Sequence, residues 1–385
     1  MAHFDFIFAG AGVAGLSLAH RLISGPFAGA RVLLIDQSFT ERRNHALSFW
    51  TKQPTPYEAI VARTWRRLKV AGPGFVQETP LRRYRYQTIR AVDFHSFIYE
   101  TLDAAPGVTC LQERVSDVQD GEDGATVWAG ERAYRGSWVF DSRFDGETLR
   151  AAGDHGCLWQ QFQGWEIVTP TDRFDARVAT LMDLRSPQAP ILQAPQPGPW
   201  RFFYVLPYTA RRALVELVSL SSEDDKQALP DYLSNVLGID AYQIVGREAG
   251  AIPLTSRSFP RRLGRRVMAI GAEGGRIKPS TGYGFTRIQR DAASITRSLQ
   301  TRGHPFALRG EPAFYRLCDG LMLRMLAQRG AWALPLFSAL LQQNPLERVL
   351  HFLDERATPA ENVLLSASIV PRTLALATRR HWSFS

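Results

Sequence analysis

The N-terminal segment combines a glycine turn with an acid at a spacing that suits a nucleotide ligand. Gly10, Gly12 and Gly15 form a GxGxxG pattern between an apolar strand and an apolar helix. Gly10 permits a tight turn, Gly12 lets backbone N–H groups approach a pyrophosphate, and Gly15 lets the helix pack against the strand. Asp36 follows about 20 residues later, where a carboxylate accepts hydrogen bonds from ribose hydroxyls. The pattern predicts a bound dinucleotide, and the alternative is a glycine-rich turn in another α/β unit.

A second glycine-rich segment, Gly271–Phe285, follows a buried-strand pattern over Val267–Gly271. Helical periodicity after it predicts a helix over Thr286–Leu299. Glycines allow close approach of the backbone to a flat ligand, and a helix start directs N–H groups at an anionic or electron-rich ring. The segment therefore predicts a second part of the same ligand site, against the alternative of a plain surface loop.

The order of elements favours an α/β flavoprotein. The chain begins as βαβ, continues into a sheet with alternating apolar residues between 157 and 220, returns to the late glycine segment and ends in helices from Phe314. This order suits a GR2-like, FAD-binding Rossmann-type fold with an inserted antiparallel substrate sheet and a helical tail. A simple NAD dehydrogenase keeps its nucleotide domain in one contiguous block.

We predict three regions from this layout. Residues 1–155 and 262–300 form a discontinuous FAD-binding domain, 156–261 a substrate-binding sheet and 301–385 a helical C-terminal region. The stretch 40–90 is rich in arginine, proline and aromatic residues and is interpreted as an excursion from the nucleotide fold.

Composition limits the class of partner. The chain has 385 residues and a net charge of +9, carried by short arginine clusters such as Arg66-Arg67. No long basic run suggests a nucleic-acid-binding arm, so the charge indicates either a solvated surface or a face toward anionic lipid. Cys110, Cys157 and Cys318 lack metal-ligand spacing and fit a reducing cytoplasm. No apolar run of about 18 residues occurs, so we expect membrane contact to be peripheral.

Five segments, in order, resemble signatures of the flavin-dependent lycopene cyclases. They are Asn44–Phe49 (NH-x-x-SF), Gln161–Glu166 (Q-x-F-x-G), Phe203–Pro207 with Leu214–Glu216 (F-x-Y-x-LP…L-[IVL]-E), Glu248–Leu254 (E-x-G-A-[IL]-P) and Pro279–Tyr283 (P-[ST]-TGY). The chain departs from the pattern at Leu217 and Val218, where the family often has an acid and Thr, and at Leu47, where it has Trp.

The resemblance implies a reaction, cofactors and site residues. Such enzymes protonate the terminal double bond of a linear ψ end group, close a ring through a carbocation and release a proton, using reduced FAD with NAD(P)H as its reductant. To the turn residues and Asp36 it adds a cofactor set: Asn44, His45, Gly271, Pro279, Thr281, Gly282 and Tyr283.

Glu216 is the candidate acid. Period two in its strand places it between Leu214 and Val218 on one face, and a carboxyl between two aliphatic residues on an inward face is unusual unless it is functional. Burial keeps such a carboxyl protonated near neutral pH. The alternative is that this face meets solvent. Glu248, as a residue shaping a strand entrance, and Glu273, as a loop carboxylate, are weaker candidates.

The implied substrate is lycopene or a related linear carotenoid, which is drawn from the membrane. We therefore expect a cytoplasmic protein attached peripherally to the inner membrane, in contact with anionic lipid. Trp165, Phe202, Phe203 and Tyr204 either line a polyene tunnel or form ordinary core. Related monooxygenases and isoprenoid reductases usually have an acid where this chain has Ala272, which disfavours them. A third alternative is a non-enzymatic polyene carrier.

Overall fold

The computed structural model describes residues 2–39, 45–151, 157–185, 200–220, 226–328 and 333–378, which form three β-sheets covered by helices. The strands are β1 (His3–Ala9), β2 (Val32–Asp36), β3 (Ala46–Thr51), β4 (Val61–Trp65), β5 (Arg67–Gly72), β6 (Phe75–Pro80), β7 (Arg85–Arg90), β8 (Val108–Gln112), β9 (Val115–Gln119), β10 (Ala125–Ala129), β11 (Arg132–Asp141), β12 (Cys157–Val168), β13 (Val178–Asp183), β14 (Arg201–Pro207), β15 (Arg212–Ser219), β16 (Gln243–Thr255) and β17 (Val267–Ala269). The helices are α1 (Val13–Ile23), α2 (Ala91–Asp103), α3 (Gly146–Ala151), α4 (Ala228–Asp231), α5 (Phe285–Arg302), α6 (Ala313–Gln328), α7 (Ala333–Gln343), α8 (Leu346–Leu353) and α9 (Pro359–Thr378).

The first sheet has the order β8-β2-β1-β11-β10-β9, and β17 also pairs with β11. The strands β8, β2, β1, β11 and β17 are parallel. Because β17 comes from the far end of the sequence, the nucleotide sheet is assembled from two distant segments. Helices α1, α2 and α5 cover one face, where Leu16, Phe94 and Ile295 are buried with the strand residues Phe8 and Leu34.

The second sheet has the order β16-β12-β15-β14-β13-β5-β6 and is antiparallel except between β13 and β5. Its strands alternate between two environments: Phe203, Val215 and Leu217 pack on the side of α4, whereas Leu214 and Val218 face the opposite side. The stretch 40–90, interpreted as an excursion, forms β3 to β7. Of these strands, β5 and β6 join the second sheet and the others form a small third sheet, β3-β7-β4.

The C-terminal helices pack on the second and third sheets. Leu326 of α6 and Phe337, Leu340 and Leu350 of α7 and α8 are buried in one cluster with strand residues such as Phe202. In the part of the chain that the structure describes, no helix is both long enough and apolar enough to cross a membrane.

A buried charge network attaches the late glycine segment to these helices. The Lys278 ammonium lies 3.0 Å from the Asp319 carboxylate of α6 and 3.2 Å from Glu355, which follows α8. The Ser280 hydroxyl donates to Asp319 over 2.5 Å. Lys278 and Asp319 are almost fully buried, and a buried ion pair is stable only when its remaining polar atoms are paired as well. The network therefore fixes where the segment 278–283 lies.

Replacement of Asp319 tests this attachment. We expect Asp319→Ala to lower the free energy of unfolding by about 3 kcal/mol, because it removes one of the two carboxylates that pair with buried Lys278 and takes away the acceptor of the Ser280 hydroxyl. Urea unfolding followed by tryptophan fluorescence measures the loss. Glu122→Ala, which removes an exposed ion pair with Arg265, serves as the control and should cost less than about 1 kcal/mol. Equal effects of the two substitutions would contradict the structural role of the network.

Candidate active site

A cavity of about 1260 Å³ lies where the first sheet, the second sheet and the late glycine segment meet. It is larger than most pockets for a single small ligand, which are about 300–1,000 Å³. Most of the residues predicted from sequence line it: Gly10, Gly12, Asp36, His45, Glu216, Gly271, Thr281, Gly282 and Tyr283.

Two predicted residues, Gly15 and Pro279, lie elsewhere. Gly15 is below the turn, where a Cβ atom would come within 2.2 Å of the Gly10 carbonyl oxygen, so its role is the helix–strand packing expected for it. Pro279 lines a second cavity behind the glycine segment. Asn44 is outside the described residues.

The glycine turn leaves room for a ligand at the start of α1. Gly10 has a φ of +105° and lies so close to Ser142 that a Cβ would come within 2.3 Å of the Ser142 hydroxyl. At Gly12, by contrast, an added Cβ would meet nothing within 4 Å. The first turn of α1 carries no acidic residue and no side chain caps it, and the helix start lines the cavity at Gly12, Val13 and Ala14. This geometry fits a pyrophosphate.

Asp36 lies at the carboxyl end of β2, next to the turn. Its Oδ2 accepts a hydrogen bond from the Ala11 N–H over 2.6 Å, and its Oδ1 accepts one from the Ser38 N–H over 3.0 Å. The carboxylate thus fixes the turn, and each oxygen keeps a further lone pair for a ribose hydroxyl.

The late glycine segment closes the cavity from the other side. Gly271 has a φ of +62° and packs so closely on α1 that a Cβ would come within 2.8 Å of the Ala14 Cβ. Gly282 has a φ of +76° beside Gln160 and Ile252. The Thr281 hydroxyl is buried and has no hydrogen-bonding partner among the described residues, so it can bind a ligand atom.

The end of the cavity that holds the candidate acid Glu216 is formed by a row of residues that are paired across four strands. Glu248 of β16 pairs with Gly164 of β12, Gly164 pairs with Glu216 of β15, and Glu216 pairs with Tyr204 of β14. Residues that are paired directly across strands share a face of the sheet, so both carboxyl groups lie above the gap that Gly164 leaves. The Tyr283 hydroxyl lies 2.7 Å from the Tyr204 hydroxyl at the end of this row. The row and Tyr283 thus bring together four of the five segments that resemble family signatures.

Glu216 is half-buried and lines the cavity. Burial raises its pKa well above the usual value, and the hydrogen bond and negative charge of Glu248 raise the pKa further. Leu214 and Val218 line the same cavity, as the alternation in β15 predicts. The geometry thus places, between two aliphatic side chains, a carboxyl group whose neutral form burial favours.

The other candidate acids differ from Glu216. The sequence predicts that Glu248 only shapes the entrance of a strand. In the structure Glu248 lies in the same row of the sheet as Glu216, and its Oε2 accepts a hydrogen bond from the Ala46 N–H over 2.9 Å. Glu273 does not line the cavity; burial raises its pKa, and it lies near Asp141 and Arg143.

Of the aromatic residues considered as a tunnel, only Tyr204 lines this cavity. Phe203 stacks on Tyr232 on the opposite face of the sheet, and Trp165 packs there as well. Phe202 belongs to the core beneath the C-terminal helices. Sequence analysis missed Tyr86 and Phe162, which do line the cavity. Phe162 stands in the quoted Q-x-F-x-G segment, whereas Tyr86 lies in the strands taken for an excursion.

Comparison with known proteins shows which class of protein this chain belongs to. Solved structures with a similar fold include a geranylgeranyl bacteriochlorophyll reductase-like protein from Thermoplasma acidophilum (TM-score 0.65, 14% identity, 98% of this chain and 99% of that one). Another is the flavin-dependent brominase Bmp2 (TM-score 0.64, 18% identity, 99% of this chain and 100% of that one). At these identities the likeness concerns the fold alone. The fold is the FAD-binding Rossmann type of the flavoproteins, which confirms the predicted fold class.

The chain belongs to the lycopene cyclase protein family, whose sequence profile matches residues 5–379. This confirms the resemblance drawn from the five segments. Curated relatives include the chloroplastic neoxanthin synthases of Solanum tuberosum and Solanum lycopersicum, each 26% identical over an alignment of 201 residues that covers 49% of this chain. The match spans 40% of the length of each of these proteins.

The two glycines of the first turn give a paired test. Gly12→Ala should lower the stability of the apoprotein by less than about 1 kcal/mol, because there is space for the methyl group, yet it should weaken FAD binding by about tenfold or more, because the methyl group occupies the pyrophosphate position. Gly15→Ala should instead destabilise the fold, since its methyl group meets the Gly10 carbonyl. Thermal unfolding and flavin fluorescence titration separate the two effects. Tight FAD binding by the Gly12 variant would contradict the assignment of this turn.

Proposed function

We propose that this protein is a lycopene cyclase that converts the linear ψ ends of lycopene to β-rings without net oxidation or reduction. The observation that carries the proposal is the Glu216 carboxyl group, which lies in an apolar wall of the cavity that the glycine turn also lines. A protonated carboxyl in such a wall is the group that alkene protonation requires.

Carboxyl groups of this chain can both donate and take back the proton that the cyclisation requires. Glu216 gives its proton to the terminal double bond, and the carbocation that forms is attacked by the next double bond, which closes the ring. A ring carbon then releases a proton to a carboxylate, so neither protons nor electrons are consumed. The hydroxyl-bearing rings of Tyr204, Tyr283 and Tyr86 surround the carboxyl, and aromatic faces stabilise a passing cation.

The apolar lining supports a polyene substrate. Around the carboxyl the cavity is lined by Phe162, Leu206, Leu214, Val218 and Ile252. A hydrocarbon end group gains about 25 cal/mol for each Å² of its surface that these side chains remove from water. The same walls exclude water, which would otherwise trap the carbocation as an alcohol.

FAD fits the opposite end of the cavity. Gly12 and the start of α1 would hold its pyrophosphate, Asp36 its ribose, and Thr281 and Gly282 its ring system. When bound and reduced by NAD(P)H, FAD supplies an electron-rich ring that stabilises the cation or relays the proton. The second cavity, with exposed arginines such as Arg257 and Arg297, adjoins the first at Phe144 and Ala272 and suits the phosphates of that reductant.

Glu216→Gln is the test of the acid. We expect an anaerobic assay with lycopene in liposomes, FAD and NAD(P)H to yield a product of unchanged mass and shortened chromophore with the wild type. With Glu216→Gln the rate should fall by about 10³-fold or more, while FAD binding is retained. Glu273→Gln is the matched control and should keep wild-type activity.

The mass of the product separates this function from the alternatives. A product one oxygen or two hydrogens heavier would identify a monooxygenase or an isoprenoid reductase. Unchanged lycopene with every variant would favour a polyene carrier.

We also propose that α6 contacts an anionic bilayer, from which the substrate enters. Phe314, Leu317 and Leu321 form one stripe on this helix and are 39%, 62% and 56% exposed. Arg316 and Arg324 flank the stripe, and the acid of α6, Asp319, is buried in its ion pair with Lys278. Exposed apolar residues flanked by arginines are typical of a helix that lies in a membrane interface. This would place a cytoplasmic protein at the inner membrane.

Vesicle binding checks the role of α6. The triple variant Phe314→Ser, Leu317→Ser, Leu321→Ser should bind vesicles that contain anionic lipid at least about tenfold more weakly than the wild type, because less apolar surface leaves water. Val76→Ser, at a 57% exposed apolar residue of β6, is the control and should bind as the wild type does. Unchanged vesicle binding of the triple variant would assign the stripe to another partner.

A further inference from the structure

We propose that Glu248 is the positioning carboxylate of the active site and that Glu216 and Glu248 together hold a single proton above Gly164. This inference deepens the proposed function and rests on it for the chemistry. The arrangement itself is independent of the substrate, since it follows from the register of β12, β15 and β16.

The sheet brings the two side chains together only because Gly164 lies between them. Strands two apart in a sheet place their Cα atoms about 9–10 Å apart, a distance that two glutamate side chains can bridge when the middle strand has no side chain. A Cβ atom on Gly164 would come within 2.9 Å of the Glu248 Cγ and 3.0 Å of the Leu214 Cδ1. Glu216 and Glu248 instead face each other across this gap, close enough that Glu248 raises the pKa of Glu216.

The groups around each carboxyl indicate that the shared proton resides on Glu216. Glu248 accepts the Ala46 N–H over 2.9 Å, and a backbone donor favours the ionised form. Glu216 faces the cavity among apolar side chains, where the neutral form is favoured. Two carboxyl groups in contact cannot both ionise without strong repulsion, so the pair carries one proton and one negative charge.

Other titratable groups face Glu216 from several elements of the fold. Tyr204, Tyr283 and Tyr86 face it from β14, from the segment before α5 and from β7, and burial raises the pKa of each, so they are neutral in the working range. His45 lines the same cavity. On the neighbouring row of the sheet, Glu166 pairs with Arg212 and Arg90.

The pair gives the reaction a closed proton cycle. The proton leaves Glu216 for the double bond of the substrate, and the pair becomes doubly negative next to the carbocation. The ring carbon then returns a proton to the same pair, and no proton is exchanged with solvent. Glu248 acts through Glu216, which it keeps protonated at rest.

The test is the pH dependence of Glu248→Gln. Activity needs protonated Glu216, whose pKa is raised, so activity is lost as the pH rises through that pKa. An amide at position 248 can still accept the Ala46 N–H but carries no charge, so the alkaline limb of the kcat profile should move by about one pH unit or more toward lower pH. The KM for the polyene should change by less than about twofold. Glu248→Asp should keep the limb near its wild-type position, and Glu166→Gln, a control on the same sheet, should not move it.

A second measurement needs no substrate. Infrared titration of the flavin-loaded protein should detect a carboxylic-acid C=O band that is lost in Glu216→Gln and that titrates at lower pH in Glu248→Gln and in Gly164→Ala. The proposal is overturned if the band titrates at the same pH with and without Glu248, or if Glu248→Gln lowers kcat equally at every pH. If the wild type does not cyclise lycopene, the proposed function fails, and the infrared titration still decides whether the pair shares a proton.

Discussion

Two carboxyl groups can lie side by side in apolar surroundings only when one of them keeps its proton and a backbone N–H donates a hydrogen bond to the other. The second sheet provides this arrangement. Glu216 faces the cavity, Glu248 approaches from the next strand but one, and the Ala46 N–H of the small third sheet donates to Glu248. Glu216 and Glu248 can approach each other because Gly164, in the strand between them, has no side chain. The chemistry of the site therefore depends on a glycine that is itself neither an acid nor part of the nucleotide turn.

The opposite end of the cavity depends on space rather than on charge. Gly12 leaves the start of α1 open, and Gly10 and Gly271 take backbone conformations with positive φ that other residues rarely adopt. The late glycine segment is held by Lys278 and Ser280, which bind Asp319 of α6. The helix whose exposed stripe we propose as a membrane contact therefore also anchors the segment that closes the nucleotide end.

Much of the framework is predictable because its signals are local. The GxGxxG turn, Asp36 and the strand alternation around Glu216 each depend on a few neighbouring residues, and the structure has the corresponding elements. The helix predicted over Thr286–Leu299 is α5, Phe285–Arg302. By contrast, β16 was missed as a long strand because Gly246, Gly250 and Pro253 interrupt its pattern, and only its pairing along β12 stabilises it. The strands β3 to β7 were also missed; they pair mainly with one another, and β5 pairs in addition with the distant β13.

The sequence by itself determined the nucleotide turn, the apolar strand that carries Glu216 and the motif series of the family, because short-range spacing and side-chain type specify them. Only the tertiary structure decided which acid contacts Glu216, that Tyr86 joins the cavity and that α6 presents an apolar stripe. These features depend on strand register and on packing between distant segments, and periodicity within one segment carries no information about either. Glu248 makes the difference clear: its own strand pattern describes a residue at a strand entrance, and its role follows from the strands beside it.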